Sequence, residues 1–186
     1  MDREVKDRTI LDEFAIDFTN TVKKHARYII VSGFVAIAHG RSRGTEDIDI
    51  IIERVQEEEF SKLHKDLVKH DFECIQSNDS NEIFGYLKDN LSVRYIRRGT
   101  HIPEMEVKFS KDKIDDFQIE TRKKLPLTGL DLYFSSIETN IAFKEELLKS
   151  EKDIEDAKHL RIVYGGQLNE YEIERVKILI KELRLK

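Results

Sequence analysis

The sequence predicts an α+β fold in which a mixed β-sheet packs against helices and is followed by a helical C-terminal part. Short runs rich in β-branched residues alternate with helical periodicity up to about residue 110, and from about residue 112 the patterns are helical only. The chain has 186 residues, of which 39% are hydrophobic, enough for one substantial domain with an attached helical part. We therefore expect an α/β domain at 1–127 and helices that complete its cleft at 128–186.

Apolar residues at spacings of three and four predict most of the helices. Leu11, Phe14 and Phe18 show this spacing in the first helix. Ser135 and Glu138 have the spacing of a capping box, which predicts the start of a later helix. The predicted helices occupy residues 4–26, 34–39, 57–70, 135–148 and 151–164, with an end at Gly165-Gly166, and a last helix that Asn169 caps.

The predicted strands are short and rich in Ile, Val and Phe. The clearest is Asp47–Ile52, whose isoleucines follow a polar loop that contains glycine. Pro103 precedes the last strand, at a place where a proline removes no ladder hydrogen bond. The predicted strands occupy residues 28–31, 47–52, 72–75, 91–96 and 105–109.

Charge and composition limit the classes of function. The formal net charge is -5, which argues against a protein whose main role is to coat nucleic acid, because that role needs a basic surface. No apolar run is long enough to span a bilayer and the first residues lack a signal-peptide pattern, so we expect a cytoplasmic protein with no membrane partner. Cys74 is the only cysteine, which excludes an intrachain disulfide and a thiolate zinc site.

Asp47 and Asp49 form the most informative pair of side chains. Because side chains alternate along a strand, both carboxylates project from one face while Ile48 and Ile50 point into the core. Ionised carboxylates held side by side repel each other, and a divalent cation removes that repulsion. Mg²⁺ prefers a few carboxylates together with waters and phosphates, so the pair is a candidate magnesium site. The alternative is an ordinary polar face at the end of a strand.

Ser32-Gly33 lies between a predicted strand and a predicted helix. Unpaired backbone N–H groups at such a turn can hold a phosphate, and glycine lets the backbone approach it closely. Taken alone, the turn could equally be an ordinary connection. The order along the chain favours the phosphate site, because the turn and short helix are followed by a basic loop with Arg41 and Arg43 and then by the paired acids.

In this arrangement the sequence resembles the DNA polymerase beta-like nucleotidyltransferase superfamily, whose signature is a glycine turn followed by an acid-x-acid strand. The segment Arg43-Gly-Thr45-Glu-Asp47-Ile-Asp49 is similar to the Arg-x-Thr-x-Asp-h-Asp form of minimal nucleotidyltransferases and AbiEii-like toxins. The resemblance covers roughly residues 28 to 160 and implies a nucleotidyltransferase fold. In this chain Ser32 precedes Gly33, whereas in the family the serine follows the glycine.

The resemblance implies a third acid on a later strand, and Glu106 is the best candidate. Glu104 and Lys108 share its face by alternation. The family more often has Asp at this place. An edge strand whose charges prevent pairing with another chain is the alternative explanation for these residues.

Two later segments are similar to the Lys and Lys-Asp-x-x-Asp helices of the toxin-like group. They contain Lys144, and Lys152, Asp153 and Asp156. By resemblance, Lys144 contacts nucleotide phosphates and Asp156 orients groups in the cleft. Solvated helix charges are the alternative explanation, above all for Lys152 and Asp153.

The function that the resemblance implies is transfer of a nucleoside monophosphate from an NTP to a hydroxyl acceptor, with release of pyrophosphate. Two Mg²⁺ ions would be held by Asp47, Asp49 and Glu106, and the phosphates by Ser32 and Gly33 with help from Arg43, Thr45, Lys144 and Asp156. The acceptor stays open among a tRNA, a protein and a small molecule, and oligomerisation is possible. Two alternative hypotheses remain. The protein could be a nucleotide-binding regulator without turnover, or an interaction protein such as a toxin-antitoxin component.

Overall fold

The computed structural model describes residues 8–186, in which eight helices surround one five-stranded sheet. The helices are α1 Ile10–Val22, α2 Gly33–Ala38, α3 Glu57–Lys69, α4 Ser80–Lys88, α5 Lys113–Glu120, α6 Ile137–Phe143, α7 Glu151–Tyr164 and α8 Glu170–Arg184. A π-helical turn at Lys144–Leu148 extends α6, and short 3₁₀ turns lie at Pro126–Thr128 and Gly165–Gln167.

The sheet is mixed, as the sequence predicts. Its strands are β1 Tyr28–Val31, β2 Asp47–Ile52, β3 Phe72–Cys74, β4 Val93–Arg97 and β5 Glu104–Phe109. Their spatial order is β1-β2-β5-β4-β3. The central pair β2 and β5 is parallel and every other pair is antiparallel, so the two strands that carry acidic residues lie next to each other.

Helices pack against all five strands, while the polar face of β2 stays partly open. Helices α3 and α4 pack against β3, β4 and β5, and α1 packs against α3. Aromatic rings fill this layer, where Phe18 lies 5.1 Å from Phe72 and 5.6 Å from Tyr95 between ring centroids. Helices α2 and α5 contact β1 and β2, which carry the paired aspartates. The buried layer therefore holds the sheet rigid beneath its polar face.

The C-terminal helices join the same hydrophobic core. Helix α6 packs against α7 and α8, and α7 packs against α2. Phe134, which precedes α6, bridges to Ile30 of β1 and to Lys123. The predicted boundary between residues 127 and 128 falls inside the 3₁₀ turn Pro126–Thr128. The core cluster contains residues from both sides of it, and the division into two parts stays a prediction.

The first helix is shorter than the periodicity predicts. It spans Ile10–Val22, whereas the prediction covers residues 4–26. Its start is determined by Thr9, whose hydroxyl accepts from the Asp12 backbone while the Asp12 carboxylate accepts from Thr9, a complete capping box. The part of the predicted helix within residues 1–7 lies outside the described residues.

One helix cap was predicted at the wrong residue, and helix α4 was missed. Ser136, one residue after the predicted Ser135, caps α6 by accepting from the Thr139 backbone, while the Ser135 hydroxyl is buried and donates to Gln118. Helix α4 was not predicted, because its polar residues and Gly85 obscure the helical periodicity. Asn169 caps α8 as predicted.

Within residues 8–186 no helix combines the length and the apolar character that crossing a membrane requires.

Candidate active site

Strand β2 presents Asp47 and Asp49 side by side on one face of the sheet. Burial alternates along the strand, so Ile48 and Ile50 are fully buried while both aspartates are partly exposed. The Thr45 hydroxyl lies 3.0 Å from both the main-chain oxygen and Oδ1 of Asp47 and so holds that carboxylate in place. The two carboxylates therefore have the common direction that the alternation predicts.

The parallel pairing of β2 and β5 places two more carboxylates beside Asp47 and Asp49, and we call this part of the sheet the acidic face. Asp47 is paired with Glu104 and Asp49 with Glu106, and cross-strand partners point to the same side. Asp49 is also the partner of Val31, the last residue of β1 before the Ser32 turn. Four carboxylates thus lie in two adjacent rows next to the predicted phosphate-holding turn.

Two basic side chains border the acids. Lys108 Nζ lies 2.5 Å from Glu106 Oε1 and 3.3 Å from Asp49 Oδ1. Arg94 contacts both glutamates, with its Nη2 3.2 Å from Glu106 Oε2 and its Nε 3.1 Å from Glu104 Oε2. The carboxylate of Glu106 is therefore held from two sides, whereas Asp49 has one cationic neighbour among residues 8–186.

These surroundings change the pKa of the facing carboxylates in opposite directions. Burial raises the pKa of Asp49, and the charges of Glu106 and Asp47 raise it further against the opposing effect of Lys108. Burial acts in the same direction on Glu106, but Lys108 and Arg94 overcome it and lower the pKa of that carboxyl. Keeping Asp49 ionised in the folded protein therefore costs free energy. Carboxyl groups with such shifted pKa values are typical of functional sites.

We expect Asp49→Asn to stabilise the metal-free protein at neutral pH. A carboxyl whose folded pKa exceeds its ordinary value of 3.8 stabilises the fold at pH values below that value and loses this contribution as pH rises through the folded pKa. The unfolding free energy of the variant minus that of the wild type should therefore grow as pH rises from about 4 to 7. Chemical denaturation with EDTA present measures it, and a difference that shrinks with pH would contradict the assignment.

The turn between β1 and α2 has a strained backbone. Ser32 has φ 66° and ψ -138°, a conformation that non-glycine residues rarely adopt and that costs about 1–3 kcal/mol. Gly33 begins α2 and is buried. The guanidinium of Arg43 occupies the space beside it, because a Cβ built at Gly33 would lie only 1.9 Å from Arg43 Nη2. Any side chain at position 33 would therefore have to displace the Arg43 guanidinium.

Gly33→Ala should displace the Arg43 guanidinium and destabilise the fold by about 1–3 kcal/mol, the usual cost of overpacking. The added methyl group takes the position of Nη2 and disturbs its 3.3 Å contact with Asp156. In an Arg43→Ala background the clash is absent, so the same change should cost much less. Urea denaturation of the wild type, of each single variant and of the double variant gives the coupling free energy. An equal loss of stability from Gly33→Ala in both backgrounds would show that Arg43 does not explain the glycine.

Three basic side chains contact one buried carboxylate, that of Asp156, behind the turn between β1 and α2. Asp156 of α7 is fully buried, with its Oδ1 2.6 Å from Arg41 Nε and its Oδ2 2.9 Å from Lys144 Nζ and 3.3 Å from Arg43 Nη2. Lys144 is 1% exposed and also lies 3.5 Å from Asp153 Oδ1. This cluster ties the C-terminal helices to the basic loop between α2 and β2.

Two cavities meet at Ser32 and Asp49, the residues that line both. The first, of about 660 Å³, borders the Ser32 turn, and we call it the phosphate-side cleft after the role that the sequence predicts for that turn. It is lined by Ser32, Gly33, Arg43, Gly44, Thr45, Glu46, Asp47, Asp49, Arg94, Glu104 and Lys152. The second, of about 320 Å³, lies between the sheet and the C-terminal helices and includes Ile51, Phe143, Leu147 and Lys144 in its lining. The acidic face therefore lies between the polar phosphate-side cleft and the second cavity, which is mostly apolar and which we call the apolar cavity.

The structure brings most of the predicted site residues together. Six of them line the phosphate-side cleft, namely Ser32, Gly33, Arg43, Thr45, Asp47 and Asp49. Glu106 lies on the same acidic face opposite Asp49. Lys144 lines the apolar cavity, while Asp156 is fully buried beneath Arg41 and Arg43. The roles assigned to these residues stay predictions.

Sequence reasoning gave no site role to Arg94 and Lys108. Alternation along β5 places Lys108 on the face of Glu106, which is the signal that could have identified it. Arg94 could be found only with the sheet order, because it reaches the acids across the antiparallel pairing of β4 and β5.

The donor groups of the acidic face fit a divalent cation of the magnesium type. They are carboxylate oxygens on rigid strands, and the ammonium of Lys108 already bridges two of them. In the part of the chain that the structure describes, no three acidic, histidine or cysteine side chains converge as a complete metal site. A Mg²⁺ ion held by these carboxylates would take its other ligands from water and substrate phosphates.

Comparison with known proteins adds information on the fold. No protein-family model matches the chain, and no curated protein matches it. A crystal structure of an antigenic nucleotidyltransferase-like protein from Paracoccidioides brasiliensis is 17% identical, with a TM-score of 0.52, over 93% of this chain and 88% of that one. The solution structure of the antibiotic-resistance factor ANT(2'')-Ia is 13% identical, with a TM-score of 0.53, over 92% of this chain and 93% of that one. The chain therefore has the nucleotidyltransferase fold that the sequence predicts, and its place in the minimal or AbiEii-like group stays a prediction.

Proposed function

We propose that the protein transfers a nucleoside monophosphate from an NTP to a hydroxyl acceptor and releases pyrophosphate. The observation that carries the proposal is the position of Asp47 and Asp49. They project together from β2, and Asp49 is paired with Glu106 on one side and with Val31, next to the Ser32-Gly33 turn, on the other. An acidic face beside a phosphate-holding turn, on this fold, is the arrangement that nucleotidyl transfer needs.

The phosphate-side cleft has the groups to hold a triphosphate. The first backbone N–H groups of a helix have no intrahelical partners, and at the start of α2 they lie beside the guanidinium of Arg43. The buried Nε of Arg43 has no hydrogen-bond partner within residues 8–186, so a phosphate oxygen would satisfy it. The three basic side chains around Asp156 exceed its single charge, which favours an anionic ligand nearby.

Asp47 and Asp49 are the residues that would hold Mg²⁺, with Glu106 as the third acid. When bound, the ions supply charge stabilisation for the attacking and leaving oxygens of an in-line displacement. The acceptor oxygen forms a bond to the α-phosphorus as the bond from that phosphorus to the bridging oxygen breaks. We assign Arg43 to the leaving pyrophosphate and Glu106 to favouring loss of the acceptor proton.

The apolar cavity suits the organic part of a substrate. Apolar side chains such as Ile51, Phe143 and Leu147 line it, which favours a flat or hydrophobic group. Its charged lining residues are four basic and two acidic side chains, namely Lys108, Lys111, Lys144, Arg184, Asp49 and Asp115. Lys108, Lys144 and Arg184 are each ion-paired with an acid, so the apolar side chains of the lining are the stronger indication of what the cavity holds.

The proposal is tested by incubating the purified protein with Mg²⁺, each of four labelled NTPs and a cell extract as the source of acceptors. We expect label to appear on one class of extract molecule, with one pyrophosphate released for each nucleotide transferred. Chelation of Mg²⁺ should stop both. Label on no molecule, with no pyrophosphate from any NTP, would contradict the proposal.

A second candidate function is nucleotide binding without turnover. Arg94 and Lys108 hold the carboxylate of Glu106 in ion pairs, which makes it a weaker base. Tight NTP binding in the presence of Mg²⁺, without pyrophosphate in the assay above, would favour this candidate over transfer.

A further inference from the structure

Lys108 occupies the place between Asp49 and Glu106 that a cation shared by them would take. Its ammonium contacts both carboxylates, at 3.3 Å and 2.5 Å, and these residues are direct partners on parallel strands. Lys108 comes from the same strand as Glu106, two residues further along. The protein thus carries its own positive charge at the centre of the acidic face.

The side chain of Lys108 is free to leave this place. It is 43% exposed and borders the apolar cavity, so its ammonium can move towards solvent without crossing a packed layer. Glu106 keeps a cationic partner when Lys108 leaves, because Arg94 Nη2 lies 3.2 Å from its other oxygen. Asp49, in contrast, has no other basic partner within 4.0 Å among the described residues.

We propose that Lys108 is a tethered cation that competes with a divalent ion for Asp49 and Glu106. The inference rests on the proposed function, since it takes these carboxylates as ligands of that ion. In the nucleotide-free protein the ammonium balances the two acids, and the divalent ion binds only at the cost of displacing it. An incoming triphosphate offers the displaced ammonium a new anionic partner. Lys108 therefore makes ion binding weak without nucleotide and stronger with it.

The competition is tested with Mn²⁺ alone, followed by the loss of its free-ion signal in electron paramagnetic resonance. Lys108→Met should bind Mn²⁺ about tenfold more tightly than the wild type. Its melting temperature without metal should fall, because the acids then repel each other, while the rise in melting temperature on adding Mn²⁺ should grow. Lys108→Gln tests the same point if the methionine variant folds poorly.

Two control variants separate this role from a general charge effect. Lys111→Met removes a positive charge from the same cavity at a residue that makes no ion pair within the described chain, and it should leave Mn²⁺ affinity near that of the wild type. Lys108→Arg keeps the charge and should also bind Mn²⁺ weakly.

The outcomes distinguish this inference from the proposed function. Equal or weaker Mn²⁺ binding by the Lys108→Met and Lys108→Gln variants, with clear binding by the wild type, would overturn the role of Lys108 and leave the metal site intact. Absence of Mn²⁺ binding in every variant would overturn the metal site itself, and with it both proposals.

Discussion

Asp156→Asn is expected to lower the unfolding free energy by about 3–5 kcal/mol, the cost of breaking a buried ion pair by removing one partner. Asp156 is fully buried and is shared by Arg41, Arg43 and Lys144. Its removal leaves the ammonium of Lys144, which is 1% exposed, with the more distant Asp153 as its one acidic partner in the described part of the chain. The melting temperature should fall on the order of 10 °C.

The matched control is Glu155→Gln on the same helix. Among the described residues Glu155 forms an ion pair with Lys158 alone, and both side chains are well exposed, so this change should stay within about 0.5 kcal/mol. In a Lys144→Met background Asp156→Asn should cost less than in the wild type, because one of the orphaned charges is already gone. Similar small losses for Asp156→Asn and Glu155→Gln in urea denaturation would show that the buried cluster does not stabilise the fold.

Asp47→Asn and Asp49→Asn should each reduce pyrophosphate release on the order of a thousandfold. Each change removes a carboxylate charge that would hold Mg²⁺, and the ion contributes several kcal/mol of charge stabilisation in the transition state. Neither change should unfold the protein, since both side chains are partly exposed and asparagine has nearly the size of aspartate. Initial rates at saturating NTP, measured with a coupled pyrophosphate assay, give the comparison.

Glu46→Gln is the control for that loss. Glu46 precedes Asp47 and lines the same cleft, but it lies before the strand and is exposed, so its change should alter the rate by about twofold or less. Rates in the two aspartate variants that stay near those of Glu46→Gln would remove Asp47 and Asp49 from the mechanism.

Local rules account for much of what the sequence could predict. Alternation along β2 placed Asp47 and Asp49 on one face and the isoleucines in the core, and it needs no knowledge of other strands. The same rule put Glu104, Glu106 and Lys108 on a single face of β5. The combination of strands with helices and the helical C-terminal part followed from the change of periodicity along the chain, whereas the mixed sheet was implied by the family resemblance.

Features that depend on distant parts of the chain were beyond those rules. The pairing of Asp49 with Glu106 requires the register of two strands that are far apart in sequence. The convergence of Arg41, Arg43 and Lys144 on Asp156 depends on how α7 packs against the loop before β2. Solvated charge and a buried ion cluster look alike in a sequence, because burial is a property of the tertiary fold.

The shift of the α6 cap from Ser135 to Ser136 shows where local rules are weakest. Two adjacent serines can both serve as an N-cap, and the choice was made by Gln118, which binds the hydroxyl of Ser135 in the core. Tertiary contacts therefore decided between two nearly equal local solutions.

The most direct test of the central claim is a crystal structure of the protein with Mn²⁺ and a non-hydrolysable NTP analogue. We expect an anomalous peak roughly 2 Å from carboxylate oxygens of both Asp47 and Asp49, with the terminal phosphates on the backbone of Ser32 and Gly33. A nucleotide bound elsewhere, or a Mn²⁺ ion that contacts neither aspartate, would contradict the account.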